Sequence, residues 1–398
     1  MGITKNNKRH LLVFLVVSIC GVGFFYVFPR AYSNMKYIGN SALPSKALVQ
    51  NPTPVVPPIP VPIIVTHIPT PSTVKAIYLS SWTAGSPKHR NPLIKLIDDT
   101  ELNAIVIDVK DSTGRIGFPV NDPELQKLGT AEKRISNIRD ITAELHEKNI
   151  YIIGRVAVFQ DPYLAKKKPE WAITKKSDGT VWKDRKGLSF LDPANKEVWS
   201  YTMAIAREAY SVGFDEINFD YIRYPSDGNI RDINYHLAQG KTRADNIEEF
   251  FIYVEGELKK DPIIPASADL FGLTTESADD MGIGQVWEKA IPHFDFIAPM
   301  IYPSHYPPGQ YGFKNPAQHP YEVIDHALKG AVVKTVKINQ NPNKIRPWLQ
   351  DFNMGAVYTK EMVQDQIKAA NDNNIQSWML WDASNRYTPG ALKANVVQ

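Results

Sequence analysis

Between residues 75 and 398 short, β-branched apolar runs alternate with longer stretches of helical periodicity, and this alternation restricts the fold more than any other feature. The β-type runs fall at 76–79, 104–109, 151–158, 216–223, 264–270, 296–301, 345–351 and 377–381. Helical stretches lie at 91–102, 135–148, 243–260 and 360–370. Asp192 followed by Pro193 reads as an N-cap with proline in the first turn, which predicts a helix from there to about Tyr210. The strands are apolar along nearly their whole length, as parallel strands buried on both faces must be. Eight strands interleaved with helices over these 324 residues predict an α/β fold, a (β/α)8 TIM barrel with enlarged loops, rather than an open sheet with a second domain.

The segment before the barrel is of another kind. The 18 residues 11–28 carry no charge, follow Lys5, Lys8 and Arg9, and end at Pro29 and Arg30. At about 1.5 Å per residue they reach ~27 Å, the thickness of a bilayer core, so residues 1–30 are expected to be a cytoplasmic tip and a transmembrane signal-anchor. A cleaved signal peptide is the competing expectation, because Ala31-Tyr32-Ser33 resembles a small-residue processing site. On either reading the rest lies outside the cytoplasm, held at the cell membrane or secreted. Residues 31–74 are expected to be a linker, since nine prolines between 44 and 71 exclude helix and sheet interior. In polyproline II geometry that stretch would reach on the order of 90 Å.

Charge narrows the function classes. Lys and Arg number 45 against 42 Asp and Glu, but residues 1–74 hold six of the bases and no acid, so the barrel region is mildly acidic. It lacks the basic footprint that phosphate-backbone binding needs, and no nucleic-acid partner is expected. The single cysteine, Cys20, reads as an apolar packing residue and excludes an intrachain disulfide framework or a Cys-rich metal site.

In a barrel of this kind chemistry sits at the carboxyl ends of the strands, and here those ends are rich in carboxylates. Strand two ends in Asp108-Val109-Lys110-Asp111, strand four in Asn218-Phe219-Asp220-Tyr221-Ile222-Arg223, strand five at Asp269, strand seven at Asp351 and strand eight at Asp382. Alternation puts Glu216, Asn218 and Asp220 on the inward face of strand four, and Ile217, Phe219 and Tyr221 on the face toward the helices. Converging buried carboxylates need a use: as acid and base or nucleophile at a sugar bond, as ligands for Mg²⁺ or Ca²⁺, or as partners of Arg155, Lys110 and Arg223. All eight tryptophans lie beyond residue 75, with Trp82, Trp348, Trp378 and Trp381 at or near strand ends and Trp171 and Trp182 in the loop after strand three; flat apolar rings suit sugar faces. Tyr302 is a candidate mouth residue, while His305 and His319 read as solvated loop residues. No G-x-S-x-G, P-loop or H-E-x-x-H motif occurs, and neither a metal nor an organic cofactor is expected.

These residues resemble a known family. Asp108-Val109-Lys110-Asp111, the 214–225 string Phe-Asp-Glu-Ile-Asn-Phe-Asp-Tyr-Ile-Arg-Tyr-Pro, Pro299-Met300-Ile301-Tyr302-Pro303 and Trp381-Asp382-Ala383-Ser384-Asn385 are similar to the glycoside-hydrolase-like family labelled domain of unknown function 4015. The Phe-Asp-Tyr-Ile-Arg-Tyr-Pro string and the 191–195 stretch also resemble related barrel families of polysaccharide hydrolases. The resemblance implies a TIM barrel and glycosidase activity on a cell-wall or extracellular polysaccharide. Asp220 is then the expected ionised carboxylate and Asp269 or Asp351 the expected proton donor, with Asp108, Lys110, Arg155, Asn218, Arg223, Tyr302, Trp348, Trp381 and Asp382 binding substrate. Acids on strands four, five and seven resemble the α-amylase arrangement, from which this chain departs at Asn218, where an Arg is usual, and at Asp269, where a Glu is usual. Two alternatives are a non-catalytic polysaccharide-binding barrel and a metal-dependent hydrolase with Asp108, Asp111 and Asp220 as ligands.

Overall fold

The computed structural model describes residues 65–395. The expected tip, signal-anchor and linker as far as residue 64 lie outside the described residues, as does Cys20. Among the described residues no helix is long and apolar enough to cross a membrane.

Eight parallel strands close into a barrel: β1 Lys75–Leu79, β2 Ala104–Lys110, β3 Tyr151–Ala157, β4 Glu216–Asp220, β5 Ala266–Phe271, β6 Phe296–Met300, β7 Trp348–Gln350 and β8 Trp378–Trp381. They pair in chain order, and β8 returns to β1 with Ile77 opposite Leu380. Helices α1 Pro87–Asp99, α2 Ile138–Glu147, α3 Lys196–Ser211, α4 Arg243–Leu258, α5 Trp287–Ala290, α6 Pro320–Lys337 and α7 Lys360–Asp372 fill the seven crossovers. Among the described residues no helix follows β8; the chain instead returns beside α1, where Thr100 bridges Ala394.

Strand periodicity sorts the apolar side chains into two cores. Ala76, Tyr78, Val106, Ile153, Trp348 and Met379 fill the barrel, while Ile77, Leu79, Ile105, Ile107, Ile152, Leu349 and Leu380 pack outward against the helices. Each fully buried Leu or Ile of the outer core contributes about 1.5–3 kcal/mol relative to exposure.

Helix starts follow local chemistry. Thr242 and Asp245 form a reciprocal capping box on α4, and Thr359 caps α7. The helix expected from Asp192-Pro193 begins later, at Lys196, with Asn195 Oδ1 accepting from Glu197 N at 2.8 Å. Asp192 spends its oxygens elsewhere, one on Ala194 N at 2.9 Å and the other on His236 Nδ1 at 2.5 Å, so it closes the turn before the helix.

The last residues of the expected linker are seated against the barrel. Ile68 N donates to Asp215 at 2.8 Å, Thr70 Oγ1 lies 2.9 Å from Tyr151 OH, and Asn103 Nδ2 donates to Thr73 O at 2.7 Å. Asp215, Tyr151 and Asn103 all stand at strand beginnings, so this seam lies at the amino end of the barrel. Burial pushes the Asp215 carboxyl up, but His146, His67 and the amides of Ile152 and Ile68 outweigh it and hold it below the usual carboxylate range.

Candidate active site

The site is built in tiers along the barrel axis. At the amino end Glu216 meets Arg346 Nη1 at 2.8 Å and Ser267 Oγ at 2.6 Å, closing the floor. One inward step up β4, Asn218 Nδ2 donates to Asp269 Oδ1 at 2.9 Å, and Trp348 Nε1 donates to the same oxygen at 2.8 Å. One step further, Asp220 meets Arg155, the residue that strand pairing sets beside both Asp108 and Asn218.

Arg155 organises the upper tier. Its Nη1 donates to Asp108 Oδ1 at 2.6 Å, its Nη2 and Nε reach Asp220 Oδ2 at 2.5 and 3.1 Å, and its Nε stands 3.9 Å from Asp269 Oδ2. Asp108 is held from its other oxygen by Tyr78 OH at 2.6 Å. Burial opposes the charge on Arg155, but Asp220, Asp108, Tyr78 and Asp269 outweigh it and keep the guanidinium charged. For Asp269 the balance runs the other way. Burial, joined by the charge of Asp220, pushes its carboxyl well above the ordinary range, against the pull of Arg155, Asn218 and Trp348. Two N–H donors occupy Oδ1, while Oδ2 is the oxygen turned toward Arg155.

A cavity of about 430 Å³ opens above this pair, lined by Arg155, Asp220 and Asp269 and walled by Tyr221, Phe271, Tyr302, Tyr306 and Trp381. Trp381 stacks on Tyr78 at 4.0 Å, with the Arg155 guanidinium 5.0 Å from its ring. Gly272 gives the wall its close approach, because a Cβ there would stand 2.6 Å from Met300 O.

The family model described as "Putative glycosyl hydrolase domain" matches residues 76–387. The chain belongs to this family. By that membership it is classed with the glycosyl hydrolases. No curated protein matches it in sequence. Among solved structures, a hypothetical protein from Ruminiclostridium thermocellum ATCC 27405 is 37% identical at a TM-score of 0.44, covering 48% of this chain and 96% of that one. The PgaB (BpsB) glycoside hydrolase domain from Bordetella bronchiseptica aligns with a TM-score of 0.59 at 11% identity, over 79% of this chain and 95% of that one, a likeness of fold. The α-galactosidase TtGalA from Thermus thermophilus aligns at a TM-score of 0.48 and 12% identity over 83% of this chain and 61% of its own.

Within this glycosyl hydrolase domain the expected site residues divide. Asp220, Asp269, Arg155, Arg223, Tyr302 and Trp381 line the cavity. Asp108, Asn218 and Trp348 lie buried behind or beneath it, in contact with the lining residues. Three others are placed elsewhere. Asp351 is not a cavity residue: its two oxygens accept from Thr388 Oγ1 at 2.5 Å and Thr388 N at 2.9 Å. Lys110 is buried against Asp161 at 2.9 Å and donates to Ala157 O at 2.6 Å. Asp382 turns back onto Ser384 N at 2.5 Å. The ligand set considered for a metal is also dispersed, since Asp108 and Asp220 are both on Arg155 while Asp111 is bound by Arg134 at 2.5 Å. Among the described residues no group of three or more His, Cys, Asp or Glu is placed to hold a metal ion.

One assignment from strand alternation is corrected. Tyr221 faces the cavity, not the helices, because β4 stops at Asp220 and Tyr221 takes a left-handed φ of 52°. His305 lines the mouth of the cavity edge-on to Tyr302 at 5.2 Å while staying exposed, as expected of a loop residue, and its partial burial holds its pKa below the usual histidine value. Phe271 and Tyr306 carried no signal beyond following strand ends.

Proposed function

We propose that the domain hydrolyses glycosidic bonds of an extracytoplasmic polysaccharide, with Asp220 as the ionised carboxylate and Asp269 as the proton donor. The observation that carries this is the convergence of both carboxyls on Arg155 Nε at the base of an aromatic-walled cavity, with burial and the Asp220 charge favouring a protonated Asp269. Hydrolysis of a sugar bond needs such a divided pair, one carboxyl ionised and one protonated. Asp269 Oδ2 gives its proton to the leaving oxygen as the anomeric bond breaks, and Asp220 attacks the anomeric carbon or activates water. The stacked Trp381, with Tyr221 and Tyr302, offers faces for sugar rings. Residues 1–30 serve as a signal-anchor and 31–74 as a proline-rich linker, its last residues seated on the barrel, that presents the domain outside the membrane, a reading supported by the uncharged 11–28 run and the proline spacing.

The test is reducing-end release by the full-length protein from a panel of cell-wall and exopolysaccharide glycans, with and without EDTA, beside Asp220→Asn. Chelator-insensitive release that falls at least a thousandfold in the variant, with glycan binding retained, is the expected result. Glycan binding without release by the wild type would make this a binding barrel, and loss of release in EDTA would favour a metal-dependent hydrolase.

A further inference from the structure

Arg223 stands where two cavities meet. With Tyr221 it lines both the catalytic cavity and a second one of about 390 Å³, whose polar walls include Gln160, Asp184, Lys186 and Asp227. Two guanidiniums approach the Tyr221 ring, Arg155 at 6.0 Å and Arg223 at 5.5 Å from its centre. These two cations are in opposite states. Arg155 is saturated by carboxylates, whereas among the described residues no carboxylate oxygen is paired with Arg223 within 4.0 Å, Asp220 and Asp184 acting on it only from further off.

The hydrogen bonds of Arg223 agree. Only Nη1 is used, at 3.1 Å to Tyr224 O and 3.3 Å to Ser226 Oγ; Nε and Nη2 donate to no protein group among the described residues. The guanidinium is fixed against Phe271, 4.7 Å from its ring centre. Burial disfavours its charge. The acids nearest the second cavity are engaged: Asp184 Oδ1 accepts from the amides of Lys186 and Leu188, and Asp227 pairs with Arg185 at 3.3 Å. A guanidinium is always charged, and a partly desolvated one held in place with free donors fits an anionic oxygen pair better than neutral hydroxyls.

We propose that Arg223 binds an anionic substituent of the glycan, so that the substrate class is an acidic polysaccharide carrying carboxylate or phosphate on the sugar next to the bond cleaved. This rests on the hydrolase reading above for the position of that bond. The occupation of Nε and Nη2 by the substituent completes the cation that the protein leaves open.

Three polymers test it with the full-length protein: polygalacturonate, the same polymer after carboxyl reduction, and the reduced polymer after phosphorylation of its hydroxyls. Affinity electrophoresis reads binding and reducing-end assay reads turnover, in wild type, Arg223→Gln and Asp220→Asn. At least tenfold tighter binding of one charged polymer than of the reduced one, with that ratio collapsing toward one in Arg223→Gln and surviving in Asp220→Asn, is the expected result; the polymer preferred identifies carboxylate or phosphate. Equal binding of charged and reduced polymers, or a charge preference untouched by Arg223→Gln, overturns the proposal. Because binding is read separately, a charge preference through Arg223 without turnover by any form would remove the hydrolase reading and keep the anion site.

Discussion

Arg155 holds Asp220 by two nitrogens on one carboxylate oxygen, Nη2 at 2.5 Å and Nε at 3.1 Å from Oδ2. The same guanidinium bonds Asp108, so a single buried cation offsets two carboxylates and stands 3.9 Å from a third. Removing it strands uncompensated charge, which costs about 3–5 kcal/mol. Arg155→Met is therefore expected to lower the melting temperature by several degrees and abolish turnover, with Arg155→Lys intermediate because it keeps the charge but not the fork. Differential scanning calorimetry beside the glycan assay checks this; an unshifted melting point in Arg155→Met would show that the tier is not held as described.

In the proposed mechanism Asp269 acts protonated, and the raised pKa of its carboxyl sets the sign of the pH dependence. Activity falls as pH rises through that pKa, because the donor is lost. Asp269→Asn is expected to cut turnover of native glycan 10²–10⁴-fold while a dinitrophenyl glycoside, whose leaving group needs no proton, loses far less. Equal losses on both substrates would take Asp269 out of the donor role.

Trp348 supports the ionised form of Asp269 through its Nε1 donor at 2.8 Å. Trp348→Phe keeps an aromatic ring in the barrel and removes that donor. A hydrogen bond to a charged group contributes about 1.5–3 kcal/mol, so the alkaline limb of the kcat/KM profile should move upward by about one pH unit. A limb that stays in place, or moves down, would mean that another group titrates there.

Much of this site was legible because strand alternation is rigid. Once residues 216–220 are read as a buried parallel strand, Glu216, Asn218 and Asp220 must face inward, and they do. Alternation fails at the first residue beyond the strand, where the backbone of Tyr221 turns left-handed and swings the ring to the mouth. The fates of Asp351 and Lys110 depended on partners remote in sequence, Thr388 and Asp161, which no local pattern indicates. His305 is the exposed loop residue it was read as, but its place at the cavity mouth, edge-on to Tyr302 and Phe352, depended on closure of the barrel.

Asp215 offers a separate reading of stability. Its folded pKa lies below the unfolded value of about 3.9, so it contributes stability above that pH and loses it as pH falls through the folded value. Asp215→Asn should lower the melting temperature at pH 6 and flatten its fall between pH 5 and 3. Melting curves across that interval decide the matter, and parallel curves for variant and wild type would exclude Asp215 as the group responsible.

That carboxylate also sets how the domain is harnessed. Residues 68–73 are fastened to Asp215, Tyr151 and Asn103 at the amino end of the barrel, while the cavity opens at the carboxyl end. Asp220 and Asp269 lie toward the other ends of their strands from this seam. The cavity thus opens at the end opposite to the one where residues 68–73 are seated, so a polymer can enter it without passing the seam.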